Sequence, residues 1–132
     1  MKFTLNEVFH VYSALRQIKS SAFKVNYWIS RNLKIFEDSY SFIFAEREKL
    51  YQEYLFPDES GNYFEILENG DVKFHLKEST DAYAKRFSDK MEELFHTDCE
   101  LEPYRIDAAA LFDSDLSVSL DQTIQIERLL KN

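Results

Sequence analysis

Three histidines and one cysteine are all the chain offers for nucleophilic or metal chemistry: His10, His75, His96 and Cys99. Nothing in the spacing sets a histidine beside a serine or Cys99 together with an orienting carboxylate, which a nucleophilic triad requires. His96 and Cys99 are spaced like two ligands of a metal. A structural zinc needs four, and no second cluster exists to complete the set. Asp113 and Asp115 form a carboxylate pair suited to acid–base work or cation binding, but such pairs arise by chance in an acidic chain. The two glycines, Gly61 and Gly70, both fall at turn positions, so none remains for a phosphate-cradling loop or a nucleophile elbow. The expectation is a non-enzymatic protein with no cofactor, no metal and no catalytic residue.

Charge gives the next clue. The net charge is −8 and is unevenly spread: Asp98, Glu100, Glu102, Asp107, Asp113, Asp115 and Asp121 lie close together in sequence with Arg105 the one basic residue among them. Such a segment repels phosphate. One reading is a solvated, solubilising face. The other makes these seven carboxylates a partner-binding surface that docks on a basic protein. Lys24, Arg31 and Lys34 form a small basic patch on the second helix, and Lys85, Arg86 and Lys90 another on the third. Helix solubilisation explains both, and direct nucleic-acid binding is not expected.

The elements that carry these residues are legible from periodicity. The 132 residues predict one domain spanning 1–132, and aromatic side chains make up 16% of them, enough to supply a core without disulfides. Thr4 and Glu7 have capping-box spacing. From there Val8, Leu15, Ala22, Ile29, Phe36, Ile43 and Leu50 recur at every seventh position, a helical seam. A single helix to Phe56 would be about 80 Å long, far beyond a domain with a radius of gyration of about 14 Å. A break near Lys19, Ser20 and Ser21 therefore folds it into an antiparallel hairpin with a long second arm, although the unbroken heptad phase leaves a continuous rod open. Beside the seam, Trp28, Ile35 and Phe42, with Phe23, Phe44 and Tyr51, widen the apolar arc to roughly 200°. That arc needs cover on two sides, or else leaves a face for self-association.

Pro57 ends the long helix, and Asp58 to Asn62 form a polar turn. In the next hairpin, a three-residue loop at Glu68, Asn69 and left-handed Gly70 pairs Ile66 with Val72, Glu65 with Lys73 and Phe64 with Phe74, which gathers the large apolar residues on one face. That face should lie on the long helix or gain a third strand. Ser79 and Thr80 open a third helix through Tyr83, Phe87, Met91, Leu94 and Phe95. Cys99, Leu101, Tyr104 and Ile106 suggest a short strand, which Pro103 restricts to an edge. Ser119 and Gln122 give a second capping box, which opens a terminal helix through Leu120, Ile124, Ile126, Leu129 and Leu130. The fold class is α+β: an antiparallel helical hairpin with one long helix, a small antiparallel sheet and two shorter C-terminal helices. The single cysteine and the lack of a leader-like apolar stretch fit the cytoplasm, and no run is long enough for a membrane span.

The run IxxNLKIFEDSYSFIFAEREKLYQEY from Ile29 to Tyr54, followed by DESGNY, ENGDVKF and SLDQTIQIERLL, resembles a family of small, functionally unassigned bacteriophage proteins. The resemblance implies a phage origin, residence in the bacterial host cytoplasm or in the virion, and no enzymatic activity. It supplies no catalytic residue. Three roles remain: an accessory protein that binds a host or phage protein, for instance to inhibit a host defence, through an acidic and aromatic surface; a virion or assembly component that self-associates through the long helix; or, ranked last, an enzyme of unfamiliar type, which requires a deep pocket with convergent polar groups.

Overall fold

The computed structural model describes residues 1–112 and 116–131, without the side chains of 116 and 117. The architecture is the expected α+β arrangement. The elements are β1 (Lys2–Thr4), α1 (Leu5–Gln17), β2 (Lys19–Ser20), α2 (Phe23–Tyr54), β3 (Phe64–Ile66), β4 (Val72–Phe74) and α3 (Asp81–Phe95). After them come β5 (Asp98–Glu100), β6 (Ile106–Asp107), α4 (Ala108–Phe112), β7 (Leu116–Ser117), α5 (Leu120–Gln125), a 3-10 turn (Glu127–Leu129) and β8 (Leu130–Lys131). They gather into two compact units: Met1–Phe42 with His96–Asn132, and Ile43–Phe95. Helix α2 contributes its first part to one and its last part to the other.

In the first unit, α1 begins where Thr4 caps it. The Thr4 hydroxyl accepts the Glu7 N–H at 3.1 Å, and the Glu7 carboxylate accepts the Thr4 N–H at 3.1 Å. Arg128 then closes on the same carboxylate at 2.7 Å. The helix stops because Ile18 turns extended, and Lys19–Ser20 pair with Leu116–Ser117. The Ser20 hydroxyl accepts the Ala22 N–H, and the Ser20 carbonyl accepts the Asn26 side-chain amide, which leads the chain into α2. The break is therefore where the seam is weakest, and the continuous rod is ruled out.

Helix α1 packs on α2 through aromatic pairs. Tyr12 stacks on Tyr40 at 4.0 Å, and Phe3 meets Phe36 edge-on at 5.2 Å. Val8, Leu15, Ile29, Phe36 and Ile43 of the seam are buried, and Phe3, Leu111, Ile126 and Leu129 are also fully buried. Each such side chain contributes about 1.5–3 kcal/mol through the apolar surface it removes from water. Strand β1 pairs antiparallel with β5, setting Phe3 opposite Cys99, while β6 runs parallel to β8.

Two expectations need correction here. The single edge strand expected from Cys99 to Ile106 is two strands, because Pro103 interrupts it and β6 finds a different partner. The terminal helix ends at Gln125: Leu129 lies in the 3-10 turn and Leu130 in β8, where pairing with Ile106 competes successfully with helix propagation. The small antiparallel sheet is present as expected, and among the described residues the strands pair in two-stranded ladders, three antiparallel and one parallel.

The second unit is built on Tyr54, Leu55, Tyr83 and Phe87, with Leu50, Tyr51, Tyr63, Phe74, Leu76 and Met91 around them. The β3–β4 register is the expected one, and Gly70 has φ +89°. The outcome for its apolar face is mixed. Phe64 and Phe74 reach Tyr51, but Ile66 and Val72 remain exposed. Beyond β4, the Phe56 N–H donates to the His75 carbonyl and Lys77 N–H to the Tyr54 carbonyl, so the end of α2 supplies a short third edge.

Candidate binding cleft

The acidic residues fall on several elements. Asp98 and Glu100 lie on β5, where they face β1. Lys2 Nζ is 3.7 Å from Asp98, and the Met1 amine is 3.4 Å from Glu100 and 2.6 Å from Glu102. These three carboxylates have cationic partners within their own unit. Asp107 on β6 and Asp121 at the start of α5 are exposed and make none of these contacts. Asp113 and Asp115 lie outside the described residues.

The groups read for chemistry are also dispersed. His96 follows α3, while Cys99 sits on β5, where burial pushes its thiol up against the opposing effect of a Ser39 hydrogen bond. Among the described residues, no group of three or more His, Cys, Asp or Glu is placed to hold a metal ion. His75 lies 3.8 Å from Asp58, whose carboxylate is held below its usual range, first by the Asn62 N–H and also by that of Ser60, as part of the polar turn. No helix among the described residues is long and apolar enough to cross a membrane.

A different constellation is assembled where the first turns of α2 meet the segment before β6. Asn32, wholly buried in the middle of a helix, is its centre. Its Oδ1 accepts the Tyr104 N–H at 2.9 Å, and its Nδ2 donates to the Tyr104 carbonyl at 2.9 Å and the Trp28 carbonyl at 3.1 Å. The side-chain amide thus imitates a strand neighbour and satisfies a peptide that has no ladder of its own. Trp28 adds to the clamp: its Nε1–H donates to the same Tyr104 carbonyl at 2.8 Å. Only a donor-and-acceptor side chain of this length meets all three groups at once.

Pinned in this way, Tyr104 faces Arg31. The guanidinium carbon lies 4.5 Å from the Tyr104 ring centre and 5.9 Å from that of Tyr27. Arg31 Nη2 donates to the Tyr104 hydroxyl, a bond that, ahead of the two nearby phenols, raises an already high pKa. Arg31 is a fixed cation at every working pH. Its Nε–H is covered and has no acceptor, so the group is short of hydrogen bonds.

Together these side chains line a cleft of about 190 Å³, with Lys24, Tyr27, Trp28, Arg31, Tyr104, Arg105 and Ile106 in its wall. It contains three cations and no carboxylate. Arg105 is held in place by a 2.8 Å bond to the Leu130 carbonyl. One turn before Tyr27, Phe23 is 91% exposed, and Tyr27 itself is 65% exposed. An aromatic pair at i and i+4 thus leads along α2 to the cleft.

The sequence hinted at half of this. Lys24 and Arg31 stand out as a basic patch, and Trp28 as part of an apolar stripe, but Tyr104 and Arg105 join them from over 70 residues away. No local pattern announces that meeting. Tyr27 and Asn32 give no signal of their own, since one reads as a surface aromatic and the other as a helix interruption.

The fold and this cleft define an α+β protein with an exposed aromatic and cationic cleft. No protein-family model, curated protein or solved structure matches the chain.

Proposed function

We propose that the protein is a non-enzymatic protein-binding module, whose binding face is formed by the first turns of α2 and the Tyr104–Ile106 segment. The observation that carries this reading is the exposure of Phe23 and Tyr27 beside a rigidly held Arg31–Tyr104 pair. Exposed aromatic and arginine side chains on a preorganised scaffold have the composition of interface hot spots. The Asn32 clamp keeps the ordering cost of such a surface low. A host or phage protein is the partner that the resemblance to phage proteins implies, with inhibition of a host defence as one use. The carboxylates Asp107 and Asp121, which are exposed, remain available as a second, acidic contact.

A second reading rests on α2 itself, where Phe42 and Phe44 are exposed. Two residues apart, they lie on different flanks of the helix, and self-association through either flank fits an assembly or virion component. The test compares wild type with Phe23→Asp/Tyr27→Asp and with Phe42→Asp/Phe44→Asp. Each immobilised protein is challenged with bacterial lysate, and the mass of each free protein is followed with concentration. Loss of a discrete captured protein in the first variant alone supports the binding reading. Unchanged capture by that variant refutes it, and a concentration-dependent oligomer abolished by the second variant favours the assembly reading.

A further inference from the structure

The chemistry of the cleft also specifies what enters it, and this inference rests on the binding reading above. A wall carrying Lys24, Arg31 and Arg105 without a carboxylate, in a chain of net charge −8, is a local reversal of sign. Like charges crowded on an apolar floor repel one another, and each is better solvated when dispersed. An anionic occupant relieves that repulsion. Arg31 has one N–H on the Tyr104 hydroxyl and its Nε–H covered, so an incoming carboxylate meets the remaining terminal N–H groups of the guanidinium.

Size narrows the occupant further. A volume of about 190 Å³ is smaller than the roughly 300–1,000 Å³ of sites that enclose whole small ligands. It suits a side chain of a larger partner. The exposed Phe23 and Tyr27 beside it supply apolar surface for that partner's neighbouring residues, which a free phosphate or carboxylate would leave uncovered.

We propose that the cleft seats an acidic segment of a partner protein, with a carboxylate side chain among Lys24, Arg31 and Arg105 and an apolar neighbour against Phe23 and Tyr27. Charge attraction draws the segment in, and the aromatic pair supplies apolar contact. Recognition is then sensitive to salt, because Lys24 and Arg105 are exposed.

Trp28 makes the test direct. It is the one tryptophan in the chain, it lines the cleft, and its indole N–H is bonded to the Tyr104 carbonyl. The full-length protein labelled with ¹⁵N is titrated with the capped peptide Glu-Leu-Asp-Glu-Leu, and the indole N–H resonance is followed. The expected result is a saturable shift, roughly tenfold weaker for Gln-Leu-Asn-Gln-Leu and weaker again when salt is raised from about 20 to about 150 mM. Lys24→Gln and Arg105→Gln should each weaken the acidic peptide about threefold or more while leaving the circular dichroism unchanged. Both side chains are exposed, so neither change threatens the fold.

Four outcomes overturn the proposal: no shift; equal shifts with the neutral peptide; peptide affinity unmoved in both variants; or displacement of the peptide by equimolar adenosine monophosphate or inorganic phosphate. The last would make this a nucleotide or phosphate site. Failure here while Phe23→Asp/Tyr27→Asp still abolishes capture removes the acidic segment but keeps the binding module. Success here with capture unchanged does the opposite.

Discussion

Asn32 is the side chain on which the cleft depends most, and its replacement has a cost that the geometry sets. In Asn32→Leu the branched shape is kept and the helix is spared, although two methyls are bulkier than the amide and crowd the site. The Trp28 carbonyl retains its place in α2, and the Tyr104 carbonyl keeps the Trp28 indole N–H at 2.8 Å. The Tyr104 N–H alone loses its acceptor. One stranded donor costs about 1–3 kcal/mol, or a urea midpoint lower by about 1 M for a slope near 2 kcal/mol/M. Asn32→Asp is the sharper test. It keeps the acceptor for Tyr104 N–H but sets a second carboxylate oxygen where Nδ2 now stands, 2.9 and 3.1 Å from two carbonyl oxygens. Burial and those oxygens both disfavour the charge, so the folded pKa of the new carboxyl rises above its unfolded value of about 3.9. A protonated carboxyl can still donate to one carbonyl. With a raised folded pKa, the folded state binds more protons than the unfolded state between the two values, so stability falls as pH rises through that window. Relative to wild type, Asn32→Asp should be least impaired near pH 4 and lose up to about 1.4 kcal/mol per unit above it. Urea titrations followed by Trp28 fluorescence at pH 4, 5.5 and 7 measure this. Equal stability of Asn32→Asp and wild type at pH 7, or a deficit independent of pH, would refute the clamp.

Three further perturbations test other parts of the structure. Phe87→Ala removes a buried ring that touches Tyr51, Tyr54 and Phe74, and should lower stability by about 3–5 kcal/mol in thermal melts; a loss below about 1 kcal/mol would contradict its core role. Gly70→Val meets no atom within 4 Å, so only its φ of +89° matters: the expected cost is about 1–2 kcal/mol, with Gly70→Asn appreciably milder, and equal stabilities for the two would show that the loop does not need a left-handed residue. Burial pushes the Glu7 carboxyl up, but the Thr4 N–H and Arg128 together outweigh it and leave the group below its ordinary value. Its contribution is then present above the unfolded carboxylate pKa and disappears as pH falls through the lower folded value, so Arg128→Gln should flatten the acid limb of the stability profile; an unchanged limb would exclude the pair.

The features that could be read in advance are those whose physics is local. Both capping boxes lie within four residues, and both form as spaced. The β3–β4 register follows from putting four apolar side chains on one face and a glycine at the position that needs positive φ. Where distant partners compete, local reasoning falls short. Leu129 and Leu130 continue a helical pattern, but β8 forms because Ile106, far away in sequence, is placed to receive it. Phe23 fits an apolar flank by wheel geometry yet stands in solvent, since it begins the helix where no neighbouring element covers that side. The cleft is the extreme case: its two halves belong to a helix and a coil segment, and their union rests on one buried amide whose value depends on the backbone group it meets.

That arrangement also bears on the binding role proposed above. Asn32 and Trp28 use their polar atoms to hold backbone, and Tyr104 uses its hydroxyl to hold Arg31. Glu7 is likewise committed to Thr4 and Arg128. A reacting group must exchange protons or bonds with a substrate, and side chains fully engaged with their own protein are poorly placed for that. What the cleft presents outward is an arginine beside two rings, a lysine and a second arginine. Such groups attract an anion as it approaches, and salt weakens that attraction. On the proposed binding role, a reversal of charge at Lys24 or Arg105 should alter which partner is chosen without disturbing how the chain folds.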